Sequence, residues 1–333
     1  MAEYISTFTT GFSDLIPEAL YKLLPGSRIL KVYDGLVSYC YDGKEENIER
    51  VLVFNNTFLV IRKYQGCDCK LNSMAKNVIS IKRLPSSKKT FRVRYSVNNQ
   101  FVSIDKSYTR RIEENICRLT KARIDRVSPQ TEYWFIKRSE NIGFFCRLLN
   151  KRKHTEKNLN KGELRPELAY LICMLGELSK DSVVLDPFVG YGSIPKQIKR
   201  YFPCKKIIAS DLSSSCIGEL KSIFGKSNKV QFAARDALDM RDIISSSIDV
   251  IITDPPWGYY EDIDDIEQFY KKMLKEFCRV LKDKGNIVIL SARKSEFEAA
   301  SVNQNLKICK KIDTLVNGKK ASVYLLNKQP LKS

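Results

Sequence analysis

The sequence predicts an α/β protein. Its C-terminal domain should hold a mostly parallel sheet closed by an antiparallel hairpin, behind two smaller units that mix helices and strands. Three observations predict this. From Ser182 onward the apolar runs "VVLD", "KIIASD", "KVQFAARD", "IDVIITD" and "NIVILSA" alternate with the helical stretches "SIPKQIKRYF", "SSCIGELKSIF" and "IDDIEQFYKKMLKEFCRVLK", the pattern of strands joined by crossover helices. Next, "LKICKKIDTLVNGKKASVYLLNK" sets two runs around Asn317-Gly318, the strongest short-range hairpin signal. Finally, the first 65 residues alternate strand and helix in a different order.

In that first stretch "YISTFTT" reads as a strand, and "SDLIPEALYKLL" as an amphipathic helix with Ser13 as its N-cap. "RILKVYD" and "LVSYCYD" are strands joined across Gly35, "EENIERVLVF" a helix and "TFLVIRKY" a closing strand. The βαββαβ order is that of a ferredoxin-like unit over residues 1–65, a general scaffold that by itself says nothing about activity. Residues 66–150 read as a small α/β module. "LNSMAKNVISI" and "SYTRRIEENICRLTKA" are its helices, and "TFRVRYSV", "TEYWFIKRS" and "IGFFCRLL" its strands. In "TFRVRYSV" the apolar Phe91, Val93 and Tyr95 alternate with Arg92 and Arg94, which puts both arginines on one face. Residues 151–165, polar and basic, form a linker that contains the lone His154, and the last domain covers 166–333, with Pro166 in the first turn of its opening helix.

Charge is unevenly spread. Residues 66–165 hold 24 Lys and Arg against 9 Asp and Glu, net +15 of the chain's +19. Concentration in one block points to a polyanion, most simply nucleic acid. Arg92, Arg94, Arg110, Arg111, Lys151, Arg152 and Lys153 are its candidate contacts. The ten cysteines include no Cys-x-x-Cys pair, and one histidine leaves little for a zinc site, so no metal is expected. Scattered cysteines in apolar runs fit a reducing, cytoplasmic setting. The start "MAEYISTFTT" lacks a basic segment followed by an apolar one, and no apolar run is long enough to span a membrane.

Candidate chemistry sits at the strand ends. The first strand runs into "LDPFVGYGS", where Gly190 and Gly192 allow a tight turn and a close approach to a ligand. This turn lacks both the third glycine of a dinucleotide turn and the Gly-Lys-Ser/Thr of a phosphate loop, which argues against both classes. Asp186 would repel a pyrophosphate but could bind a cation. Asp211 ends the second strand, 25 residues on, where an acid accepts hydrogen bonds from ribose hydroxyls, and Asp236 follows the third. Taken singly, Asp211 or Asp236 is more simply a helix cap or a solvated loop acid. Together they suit a nucleoside that carries a positive centre and no phosphates. "TDPPWG" follows the fourth strand. Asp254 and the Pro255 carbonyl would accept hydrogen bonds from an exocyclic amine and help to localise its lone pair. The prolines fix both acceptors beforehand, and Trp257 offers a face to an extruded base.

"DPFVGYGS", "SD", "ARDA" and "TDPPWG" together resemble the class I S-adenosylmethionine-dependent methyltransferases that modify exocyclic amines. "GELRPELAYLI" and the Asp-Pro-Pro-aromatic-Gly form resemble the RNA guanine-N2 branch. The N-terminal half is similar to that branch's ferredoxin-like unit and RNA-binding THUMP domain. The resemblance implies a Rossmann-like catalytic domain that uses S-adenosylmethionine. Asp186, Pro187, Gly190 and Gly192 would hold its methionine end, Asp211 and Leu212 its ribose, and Asp236 and Ala237 its adenine. Asp254 would border the cofactor, and Asp254, Pro255 and Trp257 would hold the guanine. Tyr191 and Trp257 stand where relatives carry Thr or Ser, and Tyr or Phe. The implied partner is RNA, most simply tRNA, with no DNA and no membrane, and a small activating protein stays open. A ribosomal RNA guanine-N2 methyltransferase, an adenine-N6 methyltransferase and a non-catalytic RNA-binding protein are the rival readings. The last predicts loss of the acids, all of which are present.

Overall fold

The computed structural model describes residues 2–85, 88–151, 159–160, 162–258, 263–304 and 306–328. Arg152, Lys153 and His154, and the side chain of Lys151, lie outside the described residues. The chain divides into two compact units, residues 1–8 with 17–152, and residues 9–16 with 153–333.

The first unit opens with β1 (Ala2–Thr7), α1 (Ile16–Leu23), β2 (Arg28–Tyr33), β3 (Leu36–Tyr41), α2 (Glu45–Glu49) and β4 (Asn56–Gln65). These four strands lie in the order β2-β3-β1-β4 with every neighbour antiparallel, a ferredoxin-like sheet. Two helices are shorter than the sequence suggested. Ser13 does not cap α1, because residues 13–15 form turns, with Leu15 N bonded to Phe12 O at 3.0 Å, and the helix begins at Ile16. Pro17 sets that start, since it lacks an N–H and fits the first turn. α2 ends at Glu49 because Val51, Val53 and Phe54 are all buried, a spacing that one helical face does not present.

A 3-10 turn (Gly66–Cys69), α3 (Leu71–Ile79), β5 (Thr90–Val97), β6 (Gln100–Val102), α4 (Lys106–Thr120), β7 (Arg123–Ile124), β8 (Thr131–Lys137) and β9 (Ile142–Lys151) complete the unit. β9 pairs antiparallel with β4 as far as Gln65↔Ile142, so one sheet, β2-β3-β1-β4-β9-β8-β5-β6 with β7 on β5, runs past residue 65 without a break. Met74 and Val78 of α3 and Ile112 and Ile116 of α4 pack on Phe91, Tyr133, Phe135 and Phe145 of the sheet. Asp105 caps α4 by accepting from Ser107 N.

The second unit contains α5 (Pro166–Leu175), β10 (Val183–Asp186), α6 (Ser193–Tyr201), β11 (Lys206–Asp211), α7 (Ser214–Phe224), β12 (Val230–Ala234), β13 (Ile248–Thr253), α8 (Ile266–Val280), β14 (Leu281–Ser291), α9 (Lys294–Val302), β15 (Leu306–Val316) and β16 (Lys319–Lys328). Its sheet runs β12-β11-β10-β13-β14-β16-β15, parallel through β14 and antiparallel beyond it. Asn317 and Gly318 turn the final hairpin at φ 50° and 79°, the two positive values that a type I′ turn demands. The chain winds outward from β10 to β12 and then returns to β13. The gap between β10 and β13 is therefore a topological switch point, where such sheets bind ligands at the carboxyl ends of their strands. No described helix is long and apolar enough to cross a membrane.

Candidate active site

A cavity of about 720 Å³ opens at that switch point. Asp186 at the end of β10, Asp211 at the end of β11, Asp236 after β12 and Asp254 after β13 all line it, as do Pro187, Gly190, Leu212, Ala237, Pro255 and Trp257. The fold thus collects on one rim residues that lie up to 71 positions apart in the chain. Gly192 is the exception. It stands at the N-cap of α6 with φ 76°, and a Cβ there would lie 2.6 Å from Leu220 Cδ2. Its missing Cβ leaves room for the Leu220 side chain of α7. Gly190, by contrast, borders the cavity with φ 44° and has no atom within 4 Å of an added Cβ.

The four acids are held differently. Asp186 is buried, and its Oδ1 accepts from Thr253 Oγ1 at 2.8 Å and from Phe188 N at 3.4 Å. Burial pushes its carboxyl up to about 7, a rise that these hydrogen bonds oppose and the charge of Asp211 adds to. Asp211 accepts from Gly190 N and Ser213 N, each at 3.0 Å, so it braces the glycine turn. Asp236 is exposed and accepts from Leu238 N at 2.8 Å through Oδ1. Leu212 presents 77% of its surface at the same edge.

Asp254 follows β13 directly. Burial first, and then the neighbouring Asp186 charge, hold its carboxyl well above the usual range, against a hydrogen bond from Trp257. Its Oδ1 is buried and has no hydrogen-bond partner among the described residues. The loop behind it is firmly tied. Trp257 Nε1 donates to Leu290 O at 3.3 Å, and Arg293 Nε donates to Trp257 O at 2.9 Å. Arg293 N donates to Ser291 Oγ, which also meets the Tyr270 hydroxyl, both at 3.0 Å. Sequence reasoning missed Arg293, because a basic residue two places beyond a strand carries no spacing signal. It also missed Glu163, Phe269 and Lys319, which line the cavity from distant parts of the chain.

The arginines read as RNA contacts are a different matter. Arg92 donates to Glu132 Oε1 at 2.7 Å and to Arg126 O at 3.3 Å. Arg94 lies 3.2 Å from Glu132 Oε2 and over the Phe101 ring at 4.7 Å. Burial pushes the Glu132 carboxyl up, but bonds from Arg92 and Trp134 and both arginine charges outweigh it and leave it below the usual range. Arg92 and Arg94 therefore share a face, as expected, but they neutralise an acid of the neighbouring strand there instead of facing open solvent. Arg110 and Arg111 are exposed on α4, Arg110 at 2.9 Å from Glu114.

Residues 199–321 match the family described as UPF0020, RMKL-like methyltransferase domain. The chain is similar to the U6 snRNA (guanine-N(2))-methyltransferase THUMPD2 of Bos taurus, at 31% identity over 131 residues, 38% of this chain and 25% of the relative. It is also similar to the tRNA (guanine(10)-N2)-dimethyltransferase of Methanocaldococcus jannaschii, at 26% over 156 residues, 44% of this chain and 43% of the relative. The matches thus span less than half the length of either of these relatives. In three dimensions the chain is similar to TrmN from Thermus thermophilus with a TM-score of 0.80 at 21% identity, covering 99% of this chain and 100% of the other. The two share their fold over essentially the whole chain.

Proposed function

With an RMKL-like methyltransferase domain in its second unit as the premise, we propose that this protein is a tRNA guanine-N2 methyltransferase. It would convert a guanosine to N2-methylguanosine with S-adenosylmethionine as the donor. One observation carries this reading: the buried, unpartnered Asp254 Oδ1 at the cavity wall, beside Pro255 and the anchored Trp257. A buried acceptor left unmade costs free energy, and an incoming amine relieves that cost.

The cavity fits the donor. Its volume of about 720 Å³ lies within the range of cofactor sites. Its acids suit a ligand with an ammonium, a sulfonium, two ribose hydroxyls and an adenine amine, and its glycine turn lacks the phosphate-binding pattern. When bound, S-adenosylmethionine supplies an electrophilic methyl group. Asp186, Pro187 and Gly190 would hold its amino-acid end, Asp211 and Leu212 its ribose, and Asp236 and Ala237 its adenine. A positive charge in the cavity favours the ionised forms of Asp186 and Asp254, and so opposes the shifts that burial imposes. Asp254 Oδ1 and the Pro255 carbonyl then accept from the guanine N2 amine and orient its lone pair. The Asp254 carboxylate stabilises the positive charge that grows on N2. Trp257, tied at both its ring nitrogen and its carbonyl, gives the base a fixed wall, so much of the acceleration comes from positioning. Ten free thiols suit action in the cytoplasm, where we place the protein.

The test is incubation with S-adenosylmethionine and unmodified tRNA, ribosomal RNA or small nuclear RNA in parallel, then nucleoside mass spectrometry. N2-methylguanosine in tRNA supports the reading. The same product in another pool alone keeps the chemistry and replaces the substrate. N6-methyladenosine refutes the assignment of the pocket.

A further inference from the structure

We infer that the second unit has a basic surface at the end of its sheet opposite the cavity, and that this surface binds RNA phosphates away from the modified nucleotide. The inference takes its RNA from the reading above.

Residues 196–229 hold eight Lys and Arg against only Asp211 and Glu219. Six of the eight converge at the amino ends of β11 and β12. Lys199 and Arg200 close α6, Lys205 and Lys206 open β11, and Lys226 and Lys229 lie between α7 and β12. The register ties them together. Lys206 pairs with Val183, Ile207 N donates to Lys229 O at 2.8 Å, and Lys199 Nζ donates to Phe224 O at 3.3 Å. Among the described residues none of the six has an ion-pair partner. Neighbouring cations of the unit do: Lys282 lies 2.7 Å from Asp249 and Arg279 2.6 Å from Glu276. From Lys206 to Asp211 the strand climbs roughly 16 Å, so the patch and the cavity acids occupy opposite ends of the sheet.

Cations at helix C-termini complement the helix dipole, which accounts for Lys199 and Arg200. It does not account for Lys205, Lys206, Lys226 and Lys229, which sit in connections and at strand starts. The patch is dominated by lysine, a residue depleted in protein–protein interfaces and well suited, as a hydrated point charge, to phosphates. An RNA backbone is therefore the partner it fits. Its role would be to add sequence-independent affinity for a folded RNA longer than the nucleotide in the cavity.

The test uses the full chain with Arg200→Glu, Lys205→Glu and Lys226→Glu together, all at exposed positions. Affinity for unmodified total tRNA is measured by filter binding over a salt series without cofactor, so methyl transfer is not needed for the readout. The expected result is roughly tenfold or more weaker binding at low salt, and a log-log salt slope shallower by about two to three. Binding of S-adenosylmethionine and the melting temperature should not change. Lys205→Gln with Lys226→Gln should move both RNA readouts the same way by less. A control with Lys272→Glu, Lys275→Glu and Lys284→Glu changes net charge equally and should leave most of the affinity. Equal loss in that control would overturn the inference, because net charge alone would then explain the effect. Unchanged affinity and slope in the patch variant would also overturn it, and would point to an acidic protein surface instead. Failure of the methylation assay with a positive result here would refute the proposed function and leave the patch standing.

Discussion

Replacing Asp254 by alanine should separate function from stability. In most buried acids the carboxylate is paired, and its removal destabilises. Here Trp257 bonds the carboxyl but Oδ1 is buried without a partner, and the Asp186 charge raises the cost of ionising Asp254. Removing an unsatisfied buried acceptor relieves roughly 1–3 kcal/mol, offset by about 1 kcal/mol each for the small void that is left and for the lost Trp257 bond. For a unit of this size each kcal/mol corresponds to about 2–4 °C. Asp254→Ala should therefore melt within a few degrees of the parent temperature. Turnover should fall by about 10²–10³, the usual loss when one preorganised group is removed from a developing charge. Asp254→Asn, which keeps an acceptor oxygen but no charge, should fall between. Transfer of labelled methyl from S-adenosylmethionine to unmodified tRNA, alongside thermal melting, reads both quantities. Turnover within a few-fold of the parent would refute the assigned role. A melting temperature lowered by many degrees would make Asp254 a structural residue and the lost activity a consequence of unfolding.

Two further outcomes follow from neighbouring groups. Because the Asp186 carboxyl is raised to about 7 in the free protein, its stabilising contribution is full below the ordinary carboxylate range and is lost as pH rises through about 7. The melting temperature of the ligand-free protein should decline from about pH 4 to 7 through this group, Asp186→Asn should flatten that decline, and an unaltered profile in the variant would remove Asp186 as its source. Arg293→Gln breaks the bond to Trp257 O, so kcat should fall roughly tenfold with a smaller change in KM for the cofactor. In a Trp134→Phe background, Trp257 fluorescence should shift to the red, and unchanged emission would show that Arg293 does not position the loop.

The strands of the second unit were legible because five apolar runs of strand length alternate with helical periodicity, and because Asn317-Gly318 leaves the chain little choice but a tight hairpin. The acids of the cavity were legible for a related reason: each stands at or just beyond a strand end, and parallel strands carry their carboxyl ends to a common rim. What stayed hidden depends on distance in the chain. Alternation placed Arg92 and Arg94 on one face, but Glu132, forty residues on, decides what that face meets, and only the β5–β8 register, Arg92↔Glu132, brings it there. Gly192 was legible as a turn glycine, but not that Leu220, twenty-eight residues on, is the neighbour a side chain there would strike. Pro17 was visible in the sequence, yet the capping pattern at Ser13 competed with it and lost. The site itself stands apart from both cases. Asp186 and Asp254 are pushed up together, and among the described residues no lysine or arginine lowers either one. A fold selected for stability alone would place a cation or an amide between such acids, as it does at Glu132. The missing positive charge is therefore a property of the free cavity, and under the proposed function the cationic donor would supply it. This is why the conflict between burial and charge marks the site more sharply than any single motif residue does.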